Sequence, residues 1–154
     1  YDFGKWIYGL DHVDLNQFDH VVFLNDSFII HEDIRYFVNK GVRSNVQLYG
    51  YNDSSVFQYH YQSYLFMIRV DAIPIFRNMY NEKKDTITSQ HDLIHKYEIK
   101  MTTYFTTHAC FLHLAYLPGN ENRVVFTNPP IYNTLRQNHL LPFTKLKQLP
   151  RMSS

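Results

Sequence analysis

Short apolar runs alternate along the chain with stretches whose apolar side chains recur every third or fourth position. Gln62 to Val70 is the clearest run, with Tyr64, Phe66, Ile68 and Val70 on one face and Leu65, Met67 and Arg69 on the other. That pattern predicts a strand. His20-Val21-Val22-Phe23-Leu24 predicts a second strand, apolar enough to be buried on both faces, and it stops at Asn25-Asp26-Ser27. Val46 to Gly50 predicts a third strand, followed by a turn at Asn52-Asp53-Ser54-Ser55, and Cys110 to Tyr116 a last one.

Helical spacing fills the intervals. Trp6, Ile7 and Leu10 mark a short helix over Lys5 to Leu10, fed by a loop from Tyr1 to Gly4 and capped by Asp2. Asp33 to Asn39 reads as a helix that Lys40-Gly41 terminates. Asp71 is expected to cap a helix with Pro74 in its first turn and Ile73, Phe76 and Tyr80 as its buried stripe. A polar connection from Asn81 to Asp85 leads to a further helix marked by Tyr97, Met101, Tyr104 and Phe105. Pro118 to Asn122 reads as loop, and a helix is expected near Pro130. Strands alternating with helices predict an α/β fold, one domain over residues 1–147 with a frayed tail at 148–154.

Composition narrows the function. At 45% hydrophobic and 17% aromatic residues the chain is too apolar for disorder. Its thirteen Tyr and twelve Phe exceed what a core needs, so some are expected to line a groove. A formal charge of +1 with no basic stripe argues against a nucleic-acid polymer as partner. The single Cys110 excludes an internal disulfide and is compatible with a reducing compartment; no apolar run is long enough to span a membrane. A cytoplasmic location is the resulting expectation. The chain starts at Tyr1 inside what reads as a motif, so an amino-terminal part is expected to be missing.

The chemistry-bearing residues are few. Side chains at the carboxyl end of a buried strand face the crevice where open α/β sheets bind ligands. Asn25, Asp26 and Ser27 stand there, or they simply form a turn. His91-Asp92-Leu93-Ile94-His95 mimics the zinc-protease H-E-x-x-H, but Asp is too short for the Glu and no third ligand is signalled. The sequons at Asn25 and Asn52 matter only in a secreted protein.

Taken in order, D-F-G-K-W at Asp2, F-L-N-D-S at Phe23, H-Y-Q-S-Y at His60, Y-E-I-K at Tyr97, then N-P-P-I-Y and L-P-F-T-K resemble the rhamnan-synthesis-F type of glycosyltransferase of bacterial and viral polysaccharide synthesis. That family is similar to nucleotide-sugar transferases of the GT-A fold, a Rossmann-type mixed sheet flanked by helices. The resemblance implies transfer of a sugar, with rhamnose the family's suggestion, from a nucleotide-diphosphate donor to a glycan acceptor. It implies Asp2, Gly4, Asn25, Asp26 and Ser27 as nucleotide-sugar contacts, and Asp26 as ligand to Mn²⁺ or Mg²⁺ where the fold usually carries D-x-D. His60 and Gln62 would contact donor or acceptor, unless His60 is a structural histidine. Glu98, at the position of the acidic base in many such enzymes, would take the acceptor's proton; otherwise it is a first-turn acid favoured by the helix dipole. Tyr49, Tyr51, Tyr59 and Tyr61 would stack on sugars or pack in the core. The rival expectation is a carbohydrate-binding or scaffold module that has kept the fold and lost catalysis.

Overall fold

The computed structural model describes residues 2–26, 28–30, 33–55, 57–108, 113–117 and 143–145, the last two segments and Phe28 by their backbone. Its elements run α1 (Asp2–Leu10), β1 (His20–Leu24), β2 (Phe28–Ile30), α2 (Arg35–Ser44), β3 (Leu48–Ser54), β4 (His60–Tyr61), β5 (Leu65–Arg69), α3 (Ile73–Lys83), α4 (Gln90–Leu93), α5 (Ile99–His108), β6 (His113–Leu117) and β7 (Phe143–Lys145). The class is mixed α/β, as the alternation predicts.

Five strands form one sheet in the order β1-β5-β3-β4, with β6 also paired to β3. β5 is antiparallel to both β1 and β3, while β3 and β6 are parallel. The centre is thus β5 and β3, whose residues are buried on both faces from Leu48 to Ser54 and Leu65 to Ile68. β1 forms where expected but lies at the sheet's edge, half-buried, with only Phe23 fully covered. Its short apolar run reads like a central strand, but β5 is its partner on one side, and β3, β4 and β6 extend the sheet from the far side of β5.

One layer is α1, α3 and α5. Phe3, Phe23, Phe66, Phe76, Tyr97 and Phe105 form its aromatic heart, with Phe23 and Phe66 stacked at 4.9 Å. The other is α2, whose Phe37 stacks on Tyr49 at 4.8 Å. α2 runs through Lys40-Gly41 to Ser44, and Asn45, at φ 54°, ends it instead. Gly41 is internal because the helix presses on the sheet: a Cβ there would lie 2.1 Å from Met67 Cε and 2.5 Å from Tyr49 Cδ1.

Other boundaries shift for identifiable reasons. α1 starts at Asp2, so Asp2 is a first-turn acid, 3.9 Å from Lys5 Nζ, and not a cap ahead of Lys5. Asp71 pairs with Arg69 at 2.8 Å instead of capping α3, which a short 3-10 turn, Val70–Ala72, precedes. Asn52-Asp53-Ser54 is strand, not turn. Glu98 does not open a helix: α4, a π-turn (Ile94–Glu98) and α5 follow one another without a break. Cys110, the helix expected near Pro130 and the tail 148–154 lie outside the described residues.

Candidate functional site

β1 and β3 both run antiparallel to β5, and β6 runs with β3, so the carboxyl ends of β1, β3 and β6 lie at the same end of the sheet. Open α/β sheets bind ligands in the crevice outside the carboxyl ends of their strands. Three segments converge on Ser63-Tyr64, just before β5. Asn25 N–H donates to Tyr64 O at 3.2 Å. Ser63 N–H donates to Glu98 Oε1 at 3.1 Å. The Tyr64 hydroxyl donates to Asn52 Oδ1. Asp26, the next residue after Asn25, is exposed at this corner, and Glu98 is half-buried.

Asn25, the residue before Asp26, and Glu98 thus each bond the backbone of the Ser63-Tyr64 dipeptide. Ser27 is outside the described residues. His60 is buried: its Nδ1 pairs with Gln58 O at 2.8 Å and its Nε2 with Gln62 Nε2 at 3.3 Å. The Gln58 carbonyl accepts from Nδ1–H, which leaves Nε2 to accept from the Gln62 amide. Gln62 is half-buried, and its N–H donates to Asn52 O at 3.1 Å. Gly4 stands apart, lining a cavity of about 130 Å³ with Tyr80, Lys84, Ile87, Leu93 and Tyr97. α1, which carries Asp2 and Gly4, is tied to the end of β1 by Trp6 Nε1 donating to Leu24 O at 3.1 Å.

Sequence reasoning missed Asp53. Its carboxylate, buried in β3, accepts the Tyr59 hydroxyl at 2.8 Å. Burial raises the pKa of Tyr59 above the ordinary tyrosine value, reinforced by this bond, and burial pushes Tyr61 up further still. Both phenols stay protonated donors. The available signal was a second Asn-Asp-Ser, repeating the one after β1, which local turn preference disguised. Of the four tyrosines named as stacking candidates, Tyr49, Tyr51 and Tyr61 are core; Tyr59 reaches solvent.

For a divalent cation the protein offers a modest donor set. Among the described residues no group of three or more His, Cys, Asp or Glu converges, and this includes His91 and His95, whose rings lie tilted with centroids 4.0 Å apart. Asp26 alone suits a cation shared with a phosphate ligand, since Mg²⁺ commonly binds through one or two carboxylates plus phosphates and water.

Comparison with known proteins yields one signal. The chain is 31% identical over 112 residues to the virulence protein VirA of Vibrio anguillarum strain ATCC 68554 / 775, a match covering 68% of this chain and 36% of that protein. A second Vibrio anguillarum VirA matches to the same extent. The chain thus spans about a third of the length of these curated relatives. No protein-family model matches, and no solved structure does. Among the described residues, no helix is long and apolar enough to cross a membrane.

Proposed function

We propose that this chain is a GT-A-like glycosyltransferase domain that moves a sugar, rhamnose being the family's suggestion, from a nucleotide-diphosphate donor to a glycan hydroxyl. The observation that supports it is the Ser63-Tyr64 dipeptide, whose backbone is bonded both by Asn25, next to Asp26, at 3.2 Å and by the Glu98 carboxylate at 3.1 Å. Transfer needs charge stabilisation at the leaving diphosphate and a base at the acceptor, and these are two acidic tasks at two places. Asp26 serves the donor side, with Asn25 and Ser27 beside it. Glu98 takes the proton of the acceptor hydroxyl as its oxygen bonds to the anomeric carbon and the bond to the diphosphate breaks. The resemblance adds Asp2 and Gly4 on α1 to the nucleotide contacts, with Gly4 lining its own small cavity apart from Asp26. A bound Mn²⁺ or Mg²⁺ would neutralise charge on the departing diphosphate. The names of the Vibrio anguillarum relatives specify no reaction, so the reading rests on the sequence motifs and this corner.

A second reading, a carbohydrate-binding module without catalysis, is favoured by one observation: His60 spends both ring nitrogens, and Glu98 one oxygen, on partners within the fold. Donor hydrolysis and transfer, assayed with and without Mn²⁺ over UDP-, GDP- and dTDP-sugars, separate the two. Asp26→Asn is expected to keep the circular dichroism spectrum and Tm while lowering turnover by about 10²-fold, the loss typical of one charge-stabilising group. Unchanged turnover and unchanged Mn²⁺ dependence in Asp26→Asn would remove Asp26 from the donor site.

A further inference from the structure

We propose that Phe57 and Tyr59 form a stacking subsite for one pyranose unit of the glycan acceptor. That the glycan is an acceptor rests on the glycosyltransferase reading; the stacking surface is drawn from the rim itself. Phe57 is 76% exposed and Tyr59 43%, although the chain has ample room for aromatics in its core. Phe57 also sits at φ 69°, a left-handed conformation that bulky residues disfavour. A phenylalanine there gains neither burial nor backbone comfort.

Both rings are nevertheless held in place. Phe57 meets His95 edge-on, with centroids 5.2 Å apart. Gln58 clamps the segment to α5: its Nε2 donates to Ile99 O at 3.1 Å and to Thr103 Oγ1 at 2.9 Å, and Lys100 Nζ donates to its Oε1 at 3.0 Å. Tyr59 is anchored through its hydroxyl to the buried Asp53 at 2.8 Å. The same seam between this segment and the helix continues through Tyr61 N–H on Thr102 Oγ1 at 3.1 Å and ends at Ser63 and Glu98. A ligand resting on the rim therefore lies along the seam that leads to the proposed base.

Rigid, exposed rings fringed by polar groups suit a sugar. The apolar C–H face of a pyranose meets the negative face of an aromatic ring, while its hydroxyls find His95, Lys100 and the Tyr59 hydroxyl. Two rings are too little apolar surface for a stable protein partner. A nucleic-acid strand would need a basic groove tracking its phosphates, and a lysine bonded to Gln58 does not make one.

The test uses saturation-transfer NMR on the 154-residue chain with methyl glycopyranosides of rhamnose, glucose and galactose and a rhamnose trisaccharide as probes. Saturation should concentrate on one C–H face of the bound sugar. Phe57→Gly and Tyr59→Ala should each weaken binding by up to about tenfold, the scale of one aromatic contact. Tyr59→Phe, which keeps the ring but loses its anchor to Asp53, should weaken binding less than Tyr59→Ala does. Phe57→Gly should hold or raise the Tm, because glycine accepts the positive φ. A merely structural Phe57 would lower the Tm when replaced and leave affinity unmoved, and that result overturns the proposal. So does the absence of saturation for every probe, or binding that neither variant changes. Donor turnover on the same preparation distinguishes the two readings. Turnover with rim-independent glycan binding removes the subsite and keeps the transferase. Rim-dependent binding with neither turnover nor nucleotide affinity keeps the subsite and removes the transferase.

Discussion

Glu98 Oε1 accepts the backbone N–H of Ser63 at 3.1 Å, joining the last residue of a π-turn to the residue before Tyr64 and β5. π-turns inside α-helices are rare and recur at functional sites, because the extra residue re-aims side chains without ending the helix. Here Tyr97 and Ile99 on either side are buried while Glu98 stays half-exposed. If Glu98 is the base, Glu98→Gln should leave nucleotide affinity nearly intact and lower transfer by roughly 10²–10⁴-fold, with loss of the acid limb of the pH–rate profile. Gln retains an oxygen for the Ser63 N–H, so the fold should be little affected. Glu98→Ala should additionally cost about 1–3 kcal/mol by stranding that donor. Transfer rate against pH, measured beside Tm for both variants, checks this. An active Glu98→Gln protein with its acid limb intact would assign Glu98 to structure alone.

Gly41 tests the packing of α2 on the sheet. An added methyl would sit 2.1 Å from Met67 Cε and 2.5 and 2.8 Å from the Tyr49 ring, closer than real contacts allow. Met67 has a flexible end, but Tyr49 is fully buried and stacked on Phe37. Alanine's better helix propensity offsets about 1 kcal/mol. Overpacking of this severity costs about 1–3 kcal/mol or more. Gly41→Ala should therefore be neutral to clearly destabilising, and Gly41→Val strongly so, as read by chemical denaturation. A Gly41→Ala protein more stable than the parent by the full propensity gain would mean that the helix stands off the sheet.

What the sequence disclosed was what short-range periodicity encodes. β1, β5 and the buried faces of α3 and α5 are legible in alternating or three-and-four spacing, because each covers the core with its own residues. Pairings set by distant partners are not: β2 finds β7 across more than a hundred residues, Phe28 beside Lys145, and two or three residues carry too little pattern. Local preference also misled where tertiary contact outweighed it. Asn52-Asp53-Ser54 has turn composition, yet the Tyr64 and Tyr59 hydroxyls satisfy its side chains inside a buried strand. Gly41 looks like a helix stop, yet close approach to Tyr49 and Met67 is its use. At the site, Asp26 and Glu98 were each visible by residue type. Ser63, which holds Glu98, was not, since it acts through a backbone N–H that nearly every residue carries.

His20 should make the fold acid-sensitive. It begins β1 opposite Arg69, and its Nε2 is buried with no hydrogen-bond partner among the described residues. Burial lowers its pKa below the ordinary histidine value; Arg69 acts in the same direction, while Asp19 and Asp71 oppose it. The unfolded chain then binds the proton more readily than the folded one as pH drops below about 6.5. The stability associated with the neutral ring is complete above that value and is lost as pH falls towards the lower folded pKa. The Arg69–Asp71 pair behaves similarly further down: Asp71 is held below the usual carboxylate range chiefly by its hydrogen bond to Arg69, so its contribution fades only as pH drops below about 4. The two windows can be told apart. His20→Gln should flatten the fall in Tm between about pH 7 and 5.5, a range that brackets the ordinary histidine value, while leaving the steeper loss at lower pH in place. Asp71→Asn should do the reverse. An identical Tm profile for His20→Gln and the parent between those pH values would show that the His20 ring is charged as easily in the folded chain as in the unfolded one.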